Sequence, residues 1–239
     1  MKRLTLLKCS RFFSSTPSPW FWDSSTTPFS PDFGVHVARD FFTLAEEAAL
    51  SSECSAFLSR LEYEAGHWDG VIFNYKEVQR DVSSLSPASR ALLHRAQAAF
   101  PRGARCLGAP LPFFHARELA ASGFISAHVD SVKFSGGVVA GLCLLSDAVL
   151  VLTPDPEAPP LPTGSREVRV LLPRRCFYTL ANDARYAWAH AVPAGDAATF
   201  HGAPVDRGRR LSVMLRDALP PPAQLTGGEQ PLAKNNTPC

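Results

Sequence analysis

Two residues with metal-binding side chains stand close together in a strand-like run of the sequence. His128 and Asp130 lie within Gly-Phe-Ile-Ser-Ala-His-Val-Asp-Ser, residues 123–131. Side chains alternate between the two faces of a strand, so His128 and Asp130 project from the same side. Two imidazoles and one carboxylate, with coordination positions left open, form the ligand set of non-haem Fe(II) oxygenases. His190, in the strand-like run 186–192, could provide the second imidazole.

Each of these residues also has an ordinary structural interpretation. Asp130 could be a turn residue, and His128 and His190 could be histidines of the core. Imidazole and carboxylate also suit manganese and zinc, so the residue types alone do not select iron. The three residues taken together, in a sequence of short strands, predict a metal site.

A pair of arginines near the end of the chain predicts a site for a small dicarboxylate. Arg210 and Arg216 are six residues apart, so one strand presents both on the same face, with Ser212 between them. They would lie roughly 20 Å apart at about 3.3 Å per residue, and each long side chain can lean inward. Arginine binds a carboxylate through two parallel hydrogen bonds and keeps its charge. The alternative is a solvated basic stripe, because Arg207 and Arg209 stand next to Arg210.

A tyrosine lies close to the predicted metal site if two neighbouring runs form a hairpin. The runs 176–180 and 186–192 flank the turn candidate Asn182-Asp183. In such a hairpin Tyr178 falls nearly opposite His190, and its hydroxyl could reach a ligand at the metal.

Helices precede the strands. Thr43-Leu-Ala-Glu46 is a capping-box pattern that predicts a helix start, and Ser86-Pro87 predicts a second helix that Pro101 ends. Between them, residues 68–81 form a strand or a covering loop, in which Tyr75 and Arg80 either pack or contact a substrate. Short strand-like runs then follow at 111–119, 123–133, 137–152, 167–172, 176–180, 186–192, 198–202 and 210–216, and they predict an all-β barrel or jelly roll.

The first 22 residues resemble a mitochondrial transit peptide. They are rich in hydroxyl residues, contain no acid and carry the cations Lys2, Arg3, Lys8 and Arg11. The alternative is a disordered basic N-terminus. The whole chain has 24 basic and 22 acidic residues, and without those four cations the balance is 20 against 22. A global excess of positive charge, typical of proteins that hold nucleic-acid backbones, is therefore missing.

Composition sets further limits on the class of protein. The six cysteines are scattered without CxxC pairs and indicate free thiols in a reducing compartment. No apolar run is long enough to predict a membrane span. The sequence predicts a transit peptide at 1–22, a linker at 23–36, one domain at 37–217 and a disordered tail at 218–239. Within the domain, residues 40–100 form a helical part and 111–217 the jelly roll.

The motifs match, in order and spacing, those of a known family. His128-x-Asp130, His190 and Arg210-x5-Arg216 resemble the signature of the AlkB-like Fe(II)/2-oxoglutarate-dependent dioxygenases, over roughly residues 40–217. The resemblance is strongest to a mitochondrial branch of that family. It implies a double-stranded β-helix, iron held by His128, Asp130 and His190, and O2 as oxidant. It also implies a 2-oxoglutarate site formed by Tyr178, Arg210, Leu211, Ser212 and Arg216.

The same resemblance implies an activity and a location, while two departures bear on the substrate. It implies oxidative decarboxylation of 2-oxoglutarate to succinate coupled to C–H oxidation, in the mitochondrial matrix, with a role in mitochondrial metabolism and regulated necrosis. Repair members carry an Asn-x-Tyr pair where this chain has Arg117 and Leu119, and the segment for a nucleotide-recognition lid is short. These departures favour a protein or a metabolite-linked target over a base.

Two alternatives stay open from the sequence. In the first, the substrate is methylated mitochondrial RNA or DNA, with Lys133, Arg80, Arg207 and Arg209 as phosphate contacts. Its binding should then weaken steeply with salt. In the second, the chain is a non-catalytic, metal-stabilised interaction module, which would release no succinate from 2-oxoglutarate.

Overall fold

A computed structural model describes residues 21–23, 33–156 and 167–220, with the backbone alone at 21–23. The predicted transit peptide lies outside these residues except for its last two positions, and so does the predicted tail beyond 220. Phe21–Asp23 form a short strand, which overlaps the end of the predicted transit segment. The predicted domain boundaries remain a prediction.

The described elements are mainly strands with three α-helices. In chain order they are β1 (Phe21–Asp23), β2 (Val35–Ala38), α1 (Leu44–Leu58), β3 (Ile72–Asp81), α2 (Pro87–Ala98), β4 (Phe113–His128), β5 (Val139–Leu144), β6 (Ala148–Pro154), β7 (Val168–Leu172), β8 (Phe177–Leu180), α3 (Asn182–Tyr186), β9 (Trp188–Val192), β10 (Thr199–Phe200), β11 (Ala203–Pro204) and β12 (Arg210–Arg216).

Ten of the described strands form one antiparallel sheet that curls into a nearly closed barrel. The order is β1-β7-β6-β9-β4-β12-β5-β8-β2, and β3 also pairs with β4. The long strand β4 joins the two halves of the barrel. Its first part pairs with β12, whereas Ile125 and His128 pair with β9. This arrangement is the predicted jelly roll, a double-stranded β-helix flanked by helices.

Strand β4 changes direction at residues 120–123, where its register with β3 shifts. The buried Arg207 guanidinium donates hydrogen bonds to the carbonyls of Ala120, Ala121 and Gly123 at this bend. Gly123 is needed here, because a Cβ would lie 2.5 Å from the carbonyl oxygen of Asn74. The bend lets one strand serve both halves of the barrel and brings its C-terminal end, with His128, back over the interior.

The sheet separates two apolar cores. One, the helix-side core, lies between the sheet and α1 and α2, and includes Leu50, Cys54, Leu58, Leu92, Leu93, Phe114, Ala116, Leu142, Leu211, Val213 and Leu215. The other, the interior core, fills the barrel and includes Leu119, Cys143, Leu150, Val170, Tyr178, Trp188 and Met214. Alternation along β5 and β12 sends neighbouring residues to opposite cores, as the period of a strand requires.

Both predicted helices are confirmed, with their caps. Thr43 and Glu46 form the capping box of α1, with hydrogen bonds of 2.8–3.2 Å. Ser86 caps α2, whose first residue is Pro87. Two hydroxyls at the start of α2 also bind Glu53 of α1, since Ser86 Oγ and the buried Ser89 Oγ donate to its carboxylate at 2.8 and 2.6 Å. The helices therefore form one supporting layer against the sheet.

Several predicted strand boundaries were wrong, for one physical reason. The single strand β4 takes up residues from both of the runs 111–119 and 123–133, whereas 137–152 divides into β5 and β6. Strand β2, which pairs with β8, begins within the last residues of the predicted linker, where Phe33 packs edge-on against Trp188 at 4.9 Å. In each case pairing with a distant strand sets the boundary, and local composition does not record that partner.

The predicted hairpin about Asn182-Asp183 was also wrong. These residues begin α3, which connects the two halves of the barrel, and Asn182 has φ +50°. Strand β8 pairs with β2 and β5, whereas β9 pairs with β4 and β6. Tyr178 therefore has no register partner in β9. No helix among the described residues is long and apolar enough to cross a bilayer.

Candidate active site

The three predicted metal ligands come together at one end of the barrel interior. His128 ends β4 and is paired in register with His190 of β9, and Asp130 follows β4 immediately. Their ligand atoms all lie within 4.8 Å of one another. His128 Nε2 is 3.1 Å and His190 Nε2 is 3.8 Å from Oδ1 of Asp130. Residues 60 positions apart in the chain thus form one compact group.

The hydrogen bonds of this group suit a bound cation. His128 Nδ1 donates to the carbonyl of Ser126 at 2.9 Å, so Nε2, which faces Asp130, is the ring nitrogen available to a metal. This arrangement, with the second ring nitrogen bonded to a carbonyl, is typical of metal-ligating histidines. Three electron-pair donors therefore converge on one point, and two imidazoles with one carboxylate fit Fe(II).

Electrostatics keep these groups in the protonation states that a metal requires. Burial and the neighbouring His128 lower the pKa of His190 to about 3, so its imidazole is neutral at physiological pH. Burial alone would raise the pKa of Asp130, but the hydrogen bond with His128 and the charge of Arg216 hold that pKa well below its usual range. The site therefore offers a neutral imidazole at His190 and an ionised carboxylate at Asp130, which are the metal-binding forms of these groups.

Two buried charges anchor the segment that carries Asp130. The guanidinium of Arg185, on α3, donates to the carbonyls of Asp130 and Ser131 at 2.8 and 3.2 Å, and to Ser135 Oγ at 2.9 Å. At the other end of the segment, the buried carboxylate of Asp217 accepts from the backbone N–H groups of residues 137 and 138 at 3.0 and 2.8 Å. Arg185 therefore acts as a positioning residue for the carboxylate ligand.

We expect Arg185→Lys to weaken metal binding about 10- to 100-fold, the range seen when a residue supporting a metal ligand is replaced. Lysine keeps the charge, but a single ammonium cannot bridge two carbonyls and a hydroxyl in one plane. Titration with Co(II), followed by its visible absorption, measures the affinity without any turnover.

Arg169→Lys is the matched control, because the guanidinium of Arg169 on β7 also donates to two carbonyls and a hydroxyl, those of Ala197 and Thr199. Its loss should lower the melting temperature and leave Co(II) affinity within about twofold of the native protein, a change of under 1 kcal/mol. Equal losses of Co(II) affinity in both variants would show that Arg185 acts only through general stability.

The second predicted group lies on one face of β12. Arg210, Ser212, Met214 and Arg216 alternate with Leu211, Val213 and Leu215, and the latter three belong to the helix-side core. The predicted common face of Arg210, Ser212 and Arg216 therefore exists. Leu211 is a correction, because its side chain packs against the helices, on the opposite side of the sheet from the predicted 2-oxoglutarate site.

Arg210 lies at the deep end of the barrel interior. Its side chain is 1 % exposed, and its Nε and Nη2 have no hydrogen-bond partner among the described residues. Burial would lower the pKa of Arg210, but the adjacent Cys143 and Tyr178 raise it. A buried cation with unpartnered N–H groups is costly unless an anion joins it. The structure therefore offers a carboxylate site at this position.

Tyr178 borders the same space because β5 has a glycine opposite it. Gly141 is paired with Tyr178, and a Cβ at this glycine would lie 2.6 Å from the ring. The phenol donates to Met214 Sδ at 3.6 Å, across the interior. Burial raises the pKa of Tyr178, so its hydroxyl stays protonated and can donate. Tyr178 thus lies beside Arg210, as a contact to the same ligand requires.

Arg216 contacts the metal group itself. Its Nε and Nη2 donate to Oδ2 of Asp130 at 3.1 and 2.8 Å. The sequence analysis placed this arginine beside a dicarboxylate. In the structure its guanidinium binds the carboxylate of Asp130 instead. The opposite oxygen of Asp130 remains directed toward the histidines. Arg216 therefore fixes the orientation of Asp130.

The sequence analysis did not select Arg185, which positions Asp130, nor Glu77 and His115, which bind each other on neighbouring strands. Arg185 gave no signal, because a cation beside Asn182-Asp183 is typical of an exposed turn. Glu77 and His115 stand on β3 and β4 and form a hydrogen bond of 2.8 Å. Their alternation with apolar neighbours could have indicated an inward position, but nothing in the sequence pairs β3 with β4.

The residues proposed as phosphate contacts do not form one surface. Arg207 is buried in the bend of β4, and Arg209 is bound to Glu118 at 3.1 Å. Arg80 lies over the ring of Phe57, with its guanidinium carbon 5.4 Å from the ring centroid. Lys133 is exposed. Tyr75 is buried and donates to Glu64 at 2.8 Å, which confirms the packing interpretation for the covering segment. The four cysteines among the described residues are free, as predicted.

The sequence is similar to curated mitochondrial proteins. It is 37% identical over 181 residues to alpha-ketoglutarate-dependent dioxygenase alkB homolog 7, mitochondrial, of Bos taurus, which covers 75% of this chain and 76% of that protein. The corresponding protein of Mus musculus is 36% identical over 182 residues, with the same coverage. No protein-family model matches the chain.

The fold is similar to solved structures of low sequence identity. OsALKBH1 superposes with a TM-score of 0.50 at 14% identity, over 77% of this chain and 98% of that one. A prolyl-4-hydroxylase of Pseudomonas putida gives 0.50 at 14% identity, over 79% and 94%. At such identities the likeness shows the shared fold alone.

Proposed function

Because this chain belongs to the AlkB-like family of Fe(II)/2-oxoglutarate-dependent dioxygenases, together with mitochondrial alkB homolog 7, we propose that His128, Asp130 and His190 hold its iron. The observation that carries this assignment is the convergence of their three ligand atoms within 4.8 Å. Two imidazoles and one carboxylate leave positions open for the co-substrate and O2.

The co-substrate fits between this group and the deep end of the barrel. Arg210, with unpartnered N–H groups, receives the distal carboxylate of 2-oxoglutarate, and Tyr178 donates a hydrogen bond beside it. Ser212, 1 % exposed on the same face of β12, lines the space between Arg210 and Arg216. Arg216 keeps Asp130 ionised and oriented. Burial excludes water, which strengthens each of these electrostatic contacts.

When bound, iron supplies the chemistry that converts 2-oxoglutarate to succinate and carbon dioxide and oxidises a C–H bond of the prime substrate. The protein contributes geometry. Arg185 and Asp217 hold the segment of Asp130, and the Ser126 carbonyl orients His128. These contacts hold the metal ligands in fixed positions, so the protein orients the groups that would bind iron.

The enzyme is mitochondrial, like the relatives that it matches. We place it in the matrix, which the basic, acid-free first 22 residues support. The prime substrate that we favour is a protein or a metabolite-linked group. In support, Arg207, Arg209 and Arg80 are engaged in contacts within the protein, so they do not offer a phosphate-binding surface. The role in regulated necrosis rests on the family resemblance.

One observation favours methylated RNA as a second candidate substrate. Trp68 is 90% exposed, and its ring centroid is 5.4 Å from that of His67. An exposed indole could stack on a splayed base. Phe134, 80% exposed, lies within the Asp130 segment and could provide a second ring.

Succinate release tests the proposal. Purified protein with Fe(II), ascorbate and 2-oxoglutarate should release succinate slowly alone and faster with its prime substrate. The candidates are acidic and basic peptides, small metabolites and N-methylated oligoribonucleotides at 50 and 200 mM salt. Stimulation by an oligonucleotide that disappears at the higher salt would favour RNA, because phosphate contacts depend steeply on salt. Absence of succinate under every condition would refute the enzymatic assignment.

A further inference from the structure

An ion-paired group on the inner face of the sheet has no role in the site described so far. It consists of Glu77 on β3 and of His115 and Arg117 on β4, and we call it the Glu77 triad. Phe114 and Ala116, between and beside the β4 members, pack in the helix-side core. Alternation therefore directs His115 and Arg117 into the barrel.

The carboxylate of Glu77 holds both partners by their inner nitrogens. One oxygen is 2.8 Å from His115 Nδ1, and the other accepts from Arg117 Nε. Burial would raise the pKa of Glu77, but His115 and Arg117 lower it to about 2, so it is ionised at neutral pH. The outer nitrogens, Nε2 of His115 and the two Nη of Arg117, have no hydrogen bond to any described residue.

These outer nitrogens belong to half-buried side chains. The side chains of Arg117, His115 and Glu77 are 10, 20 and 22% exposed, so they are sheltered but reachable. A planar fork and an adjacent ring nitrogen form a rigid, pre-oriented set of donors, because Glu77 restrains both side chains. Such a set matches the two oxygens of a carboxylate.

The Glu77 triad adjoins the active site. Arg117 is paired in register with Ser212, and His115 with Met214, so the triad lies beside the row of β12 that extends from Arg210 to Arg216. The positive charge of Arg117 also contributes to the low pKa of His190, which lies on the other half of the barrel. A group bound at the triad would therefore lie close to the metal ligands.

We propose that the Glu77 triad is a subsite for a carboxylate of the prime substrate, held by the fork of Arg117 and Nε2 of His115. The inference rests on the proposed function, which assigns 2-oxoglutarate to Arg210 and the metal group and so leaves the triad to the second substrate. It narrows the substrate to one that carries an acidic group near the oxidised C–H bond, such as an acidic side chain or a small organic acid.

A binding experiment with the co-substrate position already filled tests this subsite. Protein loaded with Zn(II) and N-oxalylglycine, an unreactive analogue of 2-oxoglutarate, is titrated with N-acetylglutamate amide and with its neutral partner N-acetylglutamine amide. The NMR signals of the His115 ring and of the Arg117 guanidinium report binding at the triad. We expect the acid to shift both signals saturably and the neutral amide to leave them unchanged.

Arg117→Met and Arg117→Lys should each lower the affinity for N-acetylglutamate amide by about tenfold or more, because each loses a charge-assisted hydrogen bond to its carboxylate. The lysine variant keeps a positive charge beside Glu77, so a loss of affinity in this variant is not explained by an unpaired buried carboxylate that disturbs the fold. The matched control is Arg209→Met, since Arg209 pairs with Glu118, whose other carboxylate oxygen binds Tyr63. This control should bind the acid as the native protein does.

Two results would overturn the subsite. Equal binding of the acid and the neutral amide would show that charge is not recognised. A loss of N-oxalylglycine affinity in Arg117→Lys as large as the loss for the acid would assign the triad to the co-substrate. Failure of the proposed function is separate, because it would appear as absence of succinate release by the native enzyme, which this titration does not use.

Discussion

His128→Ala removes metal-dependent succinate release and lowers metal affinity by about 100-fold or more, since replacing only a residue that supports a ligand costs 10- to 100-fold. The alanine leaves Asp130 and His190 as a two-ligand set and frees the Ser126 carbonyl that orients the ring. Co(II) titration measures the affinity, and a coupled succinate assay measures turnover. The effect on stability should be small, because His128 lies at the end of a strand.

His94→Ala is the matched control, because His94 is an exposed histidine on α2, on the far side of the helix-side core. It should bind metal and turn over 2-oxoglutarate like the native enzyme. Turnover that survives in His128→Ala at the native rate would refute the metal assignment, whichever substrate the enzyme uses.

Arg210→Met raises the KM for 2-oxoglutarate by about 100-fold or more, because a bidentate, desolvated arginine–carboxylate pair contributes several kcal/mol. Methionine has similar bulk and replaces a buried guanidinium whose Nε and Nη2 are unpartnered. Replacement of a buried charge by an apolar group is often neutral or stabilising. We therefore expect an unchanged or higher melting temperature for the variant, together with the loss of co-substrate binding.

Thermal melts with and without N-oxalylglycine separate the two effects. The native protein should be stabilised by the analogue through mass action, and Arg210→Met should not. Arg209→Met, one position earlier, again serves as the control. A variant that melts at a lower temperature but keeps its KM would show that Arg210 supports the fold and does not bind the carboxylate.

Local patterns predicted the parts of this enzyme that depend on neighbouring residues. The capping box at Thr43 and the Ser86-Pro87 start predicted both supporting helices, since a cap involves residues within one turn. The strand period predicted that His128 and Asp130 share a side and that Arg210, Ser212 and Arg216 share a face. It also predicted a β barrel with helices before it.

Pairing between distant segments decided what the patterns could not. The sequence analysis assigned Leu211 to the co-substrate site. The structure places its side chain toward the helices, because neighbouring residues of β12 point to opposite faces and Arg210 points into the barrel. The hairpin that would have paired Tyr178 with His190 does not form, since α3 carries the chain from one half of the barrel to the other. Tyr178 reaches the interior by packing on Gly141, a contact that no spacing in the sequence records.

The sequence by itself determined the chemistry of the site, because residue types and strand alternation are local properties. It identified two imidazoles, a carboxylate and a buried-face pair of arginines, and through them the class of enzyme. The tertiary structure decided how these groups act together. The bend of β4 sets His128 against His190, the fold of β12 brings Arg216 to Asp130, and α3 brings Arg185 to the ligand segment. Such contacts join residues separated by 50 to 90 positions, and only the closed barrel brings them together.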